Sequence, residues 1–147
     1  MSSDQSTINH TSDSINTVVP YLTASASGRI CLFGEHQDYL GLPVIAAAIS
    51  RRISITGGFR NDNQIIIHLP DINEKESFEL ASEIPYTSPR DYFKSGINIL
   101  IREGYRFSKG IEVTVHGNIP INSGTSSSSA LLVAWMNFLT NLADNPS

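Results

Sequence analysis

Hydrophobic positions change their period several times along this chain, and each change predicts an element. Order is expected to begin near Tyr21, and Arg29-Ile30-Cys31-Leu32-Phe33 reads as a buried strand ending at Gly34. Gly34 to Pro43 is a polar loop with turn residues at both ends. Val44 to Ile49 is apolar, and beyond it Arg52, Ser54 and Thr56 alternate with Ile53 and Ile55, a strand that Gly57-Gly58 is expected to interrupt. Asn61-Asp62-Asn63 signals a turn, Gln64 to Leu69 is β-branched, and Glu76 to Leu80 supplies a short edge strand. These pieces predict antiparallel hairpins.

The period then lengthens. Phe93, Ile97, Leu100 and Ile101 recur at helical spacing, with Gly104 as the stop. Lys109 to His116 alternates again, placing Ile111, Val113 and Val115 on one face, before a Pro- and Gly-containing turn from Asn118 to Gly124. Leu131, Leu132, Trp135, Phe138, Leu139 and Leu142 mark a second amphipathic helix. Strands with interspersed helices, without regular βα alternation or internal repeats, predict an α+β fold. Residues 1–19 are rich in Ser, Thr, Asn and Asp and predict a disordered leader, leaving 20–147 as one domain.

Composition narrows the function. The 147 residues suit a single domain, and 40% hydrophobic residues suffice for a core. Net charge is −4 with Lys and Arg scattered, which argues against nucleic acid as the partner and for a small ligand. The lone Cys31 excludes an intrachain disulfide and fits a reducing compartment. The apolar run Pro43 to Ile49 is far shorter than the roughly 18 residues a membrane helix needs. The first twenty residues lack the basic start and apolar stretch of a secretory signal, so Asn9-His10-Thr11 is discounted as a glycosylation acceptor and the cytoplasm is expected.

The segment Ile119-Pro120-Ile121-Asn122-Ser123-Gly124-Thr125-Ser126-Ser127-Ser128-Ser129-Ala130 carries the chemistry. A strand enters, Pro120 turns the chain, Gly124 permits close backbone approach, and four serines, Ser126 to Ser129, open an apolar helix. Free amides and the positive dipole end at a helix start favour an anion such as phosphate. Hydroxyl side chains add donors, and one can ligate Mg2+ alongside. Without a Lys the segment is not a Walker loop. The plainer readings are a serine-rich linker or a redundant N-cap. A linker should not run straight into Leu131-Leu132-Val133-Ala134-Trp135, and a cap needs one serine.

A second loop, Gly34-Glu35-His36-Gln37-Asp38-Tyr39-Leu40-Gly41, packs Glu35, His36 and Asp38 just beyond a strand. Carboxylates so placed can accept hydrogen bonds from sugar hydroxyls. They also fit a metal site, though an incomplete one, or a solvated polar turn.

Together the two loops resemble the GHMP kinase superfamily, and the galactokinase family in particular. Gly28-Arg29, the apolar strand and Gly34-Glu35-His36-Gln37-Asp38-Tyr39-Leu40-Gly41 resemble the galactokinase signature, and Pro120 to Ser128 resemble the family's ATP loop. The resemblance covers about Tyr21 to Ala143. It implies an N-terminal domain like ribosomal protein S5 domain 2, with ATP held by Pro120, Gly124, Ser126, Ser127, Ser128 and Ser129, and Ser128 as the Mg2+ ligand. It makes Arg29 the catalytic arginine near the transferring phosphoryl group, where it offsets developing charge, and makes Glu35, His36 and Asp38 sugar ligands. The implied reaction converts MgATP and a monosaccharide, galactose or a related aldose, to a sugar 1-phosphate and ADP.

Ser27 stands where a Pro is usual, Cys31 where galactokinases tend to have Asn, Gln37 in place of Thr, and Thr125 in place of Leu. These departures widen the acceptor to a related aldose or sugar acid. Cys31 is expected to be a small buried residue rather than a reactive thiol. The alternatives are a kinase for another small alcohol such as mevalonate, against which Asp38-Tyr39 argues, and an inactive sugar-binding relative. The family's acceptor-orienting Asp, its third Gly-rich motif and its C-terminal domain have no counterpart here, and Asp144 lies at the wrong end of the helix. The expectation is an incomplete N-terminal portion, inactive alone, with apolar surface bared where the C-terminal domain would pack.

Overall fold

A computed structural model of the chain describes residues 22–34, 37–119 and 127–145. The elements run β1 (Leu22–Phe33), β2 (Ile45–Phe59), β3 (Gln64–Leu69), β4 (Glu74–Glu79), α1 (Tyr92–Arg102), β5 (Ile111–Gly117) and α2 (Ser127–Leu142), with single 3-10 turns at Asp38–Leu40 and Pro70–Ile72. The strands form one five-stranded sheet in the order β1-β2-β5-β3-β4. Every pairing is antiparallel except β3 with β5, which is parallel. The expected set of antiparallel hairpins is therefore incomplete. A parallel neighbour needs a crossover, and β4, α1 and their connections supply it between β3 and β5.

Alternation along each strand decides which face is covered. Ala24 and Ala26 of β1, Ile53 and Ile55 of β2, Ile65 and Ile67 of β3, and Ile111, Val113 and Val115 of β5 are all buried. Register aligns them into rows, with Ile55 opposite both Ala24 and Val115, and Val113 opposite Ile67. Against this face pack Phe93, Ile97, Trp135, Phe138 and Leu139, all in one core with the sheet residues. Trp135 meets the Phe93 ring edge-on at 5.5 Å and donates from Nε1 to the Phe93 carbonyl at 3.0 Å. A Cβ at Gly96 would sit 2.7 Å from the Trp135 ring, so that glycine lets α1 and α2 touch.

Gly57-Gly58 does not interrupt β2. A Cβ on Gly57 would lie 2.0 Å from the Glu112 carbonyl oxygen, so the glycine is there for the close approach of β5 within a continuous strand. The expected buried strand at Arg29–Phe33 is also corrected. The strand starts at Leu22, its buried members are the small residues Ala24, Ala26 and Gly28, and Ile30, Leu32 and Phe33 are exposed. Cys31 is half-buried rather than buried, with its Sγ 3.1 Å from the Phe33 carbonyl.

The connection before α1 is pinned from inside. Buried Asn98 accepts the Ile84 N–H at 2.9 Å and donates to the Ile84 carbonyl at 2.8 Å. Lys94 Nζ lies 2.9 Å from Asp91 and 2.6 Å from the Thr87 hydroxyl, a nearly buried ion pair. On the polar face, Arg60 binds Asp62 through two hydrogen bonds and also Glu112, whose other oxygen lies 2.9 Å from His68.

Candidate active site

Serine is a poor residue for a helix interior but suits its first turn, where N–H groups have no helical partner. Ser127, Ser128 and Ser129 occupy that place in α2, and the apolar residues that follow bury the helix against β1, β2 and α1. The first turn of α2 divides two cavities. One, of about 550 Å3, has walls of Ile53, Leu69, Ile72, Val115, Ile119 and Leu131, with Asp71, Tyr92, Asn118, Ser127 and Ser128 as its polar lining. The other, of about 430 Å3, joins Ser25, Ser27, Arg29 and Arg52 on the strands to Ser129 and Val133 on α2. One cavity suits a flat apolar body, the other an anion, and amide hydrogens of a helix start lie between them.

The wall of the larger cavity is held by a carboxylate. Asp71 accepts the Gly117 N–H at 2.7 Å and lies 3.2 Å from His116 Nδ1, tying the Pro70–Ile72 turn to the end of β5. The Gly117 amide, and secondarily His116, hold the Asp71 carboxyl below its usual range. Asn118 ties the end of β5 to β2: its side-chain oxygen accepts the Arg52 N–H at 2.7 Å, and its own N–H donates to the Arg52 carbonyl at 3.1 Å.

At the other loop, Gly34 and Gly41 adopt positive φ of 82° and 70°. A Cβ on Gly34 would meet the Pro43 carbonyl at 2.7 Å, so the two ends of the loop pinch together only because a glycine stands there. Gln37 N–H closes back onto the Gly34 carbonyl at 3.1 Å, and the Asp38–Leu40 turn follows.

Of the predicted site residues, Arg29 and Ser129 thus share one cavity, and Ser127 and Ser128 open onto its neighbour. Glu35, His36, Pro120, Gly124, Ser126 and the side chain of Asp38 lie outside the described residues. The sequence did not single out Asp71, Tyr92 or Asn118, and it read Arg52 only as an alternating strand position. Their signal is tertiary: Arg52 stands directly opposite Ser27 across β1 and β2, a pairing no local pattern reveals.

The model of the galactokinase galactose-binding signature matches residues 15–58, and that of the GHMP kinase N-terminal domain matches residues 91–147. Galactokinase of Haemophilus influenzae (strain PittEE) is 36% identical over 131 residues, covering 87% of this chain and 34% of that protein. Galactokinase of Staphylococcus carnosus is 31% identical over 130 residues, 84% of this chain and 34% of the relative. The chain therefore spans about a third of the length of the curated relatives it matches. Lactococcus lactis galactokinase complexed with galactose superposes with a TM-score of 0.75 at 29% identity, over 85% of this chain and 33% of that one. Methanococcus jannaschii mevalonate kinase shares the fold, with a TM-score of 0.75 at 20% identity over 88% of this chain and 42% of that one. The two motifs, the matched segments and the shared architecture make this chain similar to the N-terminal part of GHMP kinases, and of galactokinases in particular.

Proposed function

We propose that the chain forms the nucleotide-holding and sugar-facing part of an ATP-dependent kinase for galactose or a related aldose, acting in the cytoplasm. The observation that carries this reading is the division of labour around α2: an apolar-walled cavity that Ser127 and Ser128 help to line lies beside a cavity holding Arg29 and Ser129. A purine base fits the apolar walls, with Tyr92 and Asn118 as polar contacts, and the phosphates then run past the α2 amides toward Arg29. The nucleotide cavity suits ATP on size and chemistry. For Mg2+ the donor set is oxygen only. No cluster of three or more His, Cys, Asp or Glu suited to a metal occurs among the described residues, so the ion would be held by Ser128 Oγ and the phosphates themselves. Bound there, it neutralises phosphate charge.

The reaction balances simply. The bond between the terminal phosphorus and the bridging oxygen of ADP breaks, a bond from that phosphorus to the sugar hydroxyl oxygen forms, and the hydroxyl proton leaves to a base. By likeness to galactokinases the hydroxyl is the anomeric one. Arg29 offsets charge on the transferring group. Glu35, His36 and Asp38 fix the sugar hydroxyls in this reading. Among the described residues of the Arg29 cavity none is a carboxylate, and Asp144 sits beyond the far end of α2, accepting a hydrogen bond from Ser108 at 3.0 Å. We therefore assign the base to a residue outside the described lining of this cavity. No helix among the described residues is long and apolar enough to cross a membrane.

The test is binding. Calorimetric titration of the 147-residue chain with MgATP should show saturable binding that Ser128→Ala, which removes a protein oxygen from the ion, weakens by about tenfold. Unchanged affinity in that variant would overturn the nucleotide assignment. A thermal-shift comparison of galactose with mevalonate, and of Asp38→Ala with the parent chain, tests the sugar assignment.

A further inference from the structure

We propose that Arg52 is a second phosphate-binding arginine, which with Arg29 and Ser129 makes the smaller cavity a subsite for a phosphate oxyanion. The inference rests on the kinase reading and adds a residue to it. Arg52 belongs to β2 yet reaches across to β1, an edge strand of the sheet among the described residues. There its Nε and Nη2 donate to the Ser25 hydroxyl at 3.2 and 3.0 Å, and Nη2 also reaches the Ser25 carbonyl at 3.2 Å. Those contacts occupy one side of the guanidinium and hold its plane. Among the described residues none makes a hydrogen bond to Nη1, and a planar group with that side open to them is suited to paired phosphate oxygens.

Three features make the cavity more than a patch of surface charge. Its backbone is fixed, because the main chain of Arg52 is clamped to Asn118 by hydrogen bonds in both directions. Its two arginines line it from different strands, Arg29 on β1 and Arg52 on β2, and Ser129 lines it from α2. None of the described residues lining it is acidic, in a chain whose net charge is −4. Two guanidinium groups, a hydroxyl and the start of a helix together select a group of more than one negative charge. The terminal phosphate of the nucleotide and the phosphate of a phosphorylated sugar both meet that description.

Isothermal titration of the 147-residue chain with tripolyphosphate tests the assignment, and galactose 1-phosphate tells the two sources apart. Arg52→Gln, which keeps a donor for Ser25, should weaken tripolyphosphate binding about tenfold or more. Arg52→Lys should recover part of the loss. Arg51→Gln serves as the control, since that side chain bonds the Asn118 carbonyl at 3.4 Å instead and should change affinity less than about twofold. AMP, which lacks the β- and γ-phosphates, should bind both Arg52 variants like the parent. Parent-like tripolyphosphate binding by Arg52→Gln, or an equal loss in Arg51→Gln, would overturn the proposal. If MgATP binding falls in Ser128→Ala but not in Arg52→Gln, Arg52 alone is eliminated and the kinase reading stands. If the parent chain binds neither MgATP nor tripolyphosphate, both fail.

Discussion

The two halves of the β1–β2 hairpin invert the usual relation between size and burial. In the inner half the buried residues of β1 are Ala24, Ala26 and Gly28, with little to offer by themselves. They are covered because α2 needs small partners to come close to the sheet, and its Trp135 and Phe138 then fill the core completely. In the outer half Leu32 is 51% exposed and Phe33 70%, and across from them Ile45 is 55% exposed. Tyr39, Leu40 and Leu42 of the connecting loop are exposed as well. The same alternating pattern yields a core in one half and a bare apolar surface in the other. Hydrophobic residues state that burial is favourable, but what buries them depends on which element arrives.

The largest expected effect is in the inner half. Trp135→Ala should cost about 3–5 kcal/mol, since the ring contacts Phe93 and Phe138 and satisfies the Phe93 carbonyl. Chemical denaturation would check it, and a loss below about 1 kcal/mol would mean that the covered half is not the stabilising one. Asn98→Ala should follow at about 1–3 kcal/mol, because it leaves both backbone groups of Ile84 buried without partners.

Acid should act more weakly. The Arg60 side chain, chiefly, lowers the pKa of Asp62, and the Gly117 amide lowers that of Asp71. Burial opposes ionisation of Asp91 and of Glu112, but hydrogen bonds from Thr87 and Lys94, and from His68 and Arg60, outweigh it and lower both. Carboxylates lowered on folding stabilise the fold above their unfolded pKa, and that contribution disappears as pH falls through the folded one. Glu76 runs the other way, raised first by burial and then by Asp91, so its protonation favours the fold. With four groups lowered against one raised, melting temperature should decline below about pH 4. A flat profile from pH 5 to 2 would contradict these ion pairs.

The smallest expected effect on stability lies in the outer half. Phe33→Ser should change unfolding free energy by less than about 0.5 kcal/mol while reducing self-association measured by light scattering. A loss comparable with that of Trp135→Ala would erase the contrast between the halves.

Much of the architecture was legible because side-chain period is local. Ile53 and Ile55, Ile65 and Ile67, and Ile111, Val113 and Val115 all fell on the covered face that their alternation indicates. Gly104, at φ 94°, follows α1 where the periodic residues stop. Of the serine run, Ser127, Ser128 and Ser129 lie in the first turn of α2. Misreadings arose where a distant element set the role. Gly57 looked like a breaker until β5 was seen to pass against it, and Ile30 to Phe33 looked like core until no element lay over them among the described residues.

What the sequence determined by itself was the inventory of elements, the helix start bearing hydroxyls, and the family that its two motifs resemble. Each is a matter of neighbours within one turn or one strand, where backbone geometry fixes which residues meet. What only the tertiary structure decided was that β3 and β5 run parallel, that Asp71 braces the wall of the apolar cavity, and that Arg52 joins Arg29 beside Ser129. Those are contacts between residues far apart in the chain. Their partners are chosen by sheet register and helix docking, which depend on the packing of the whole core and are written in no single segment.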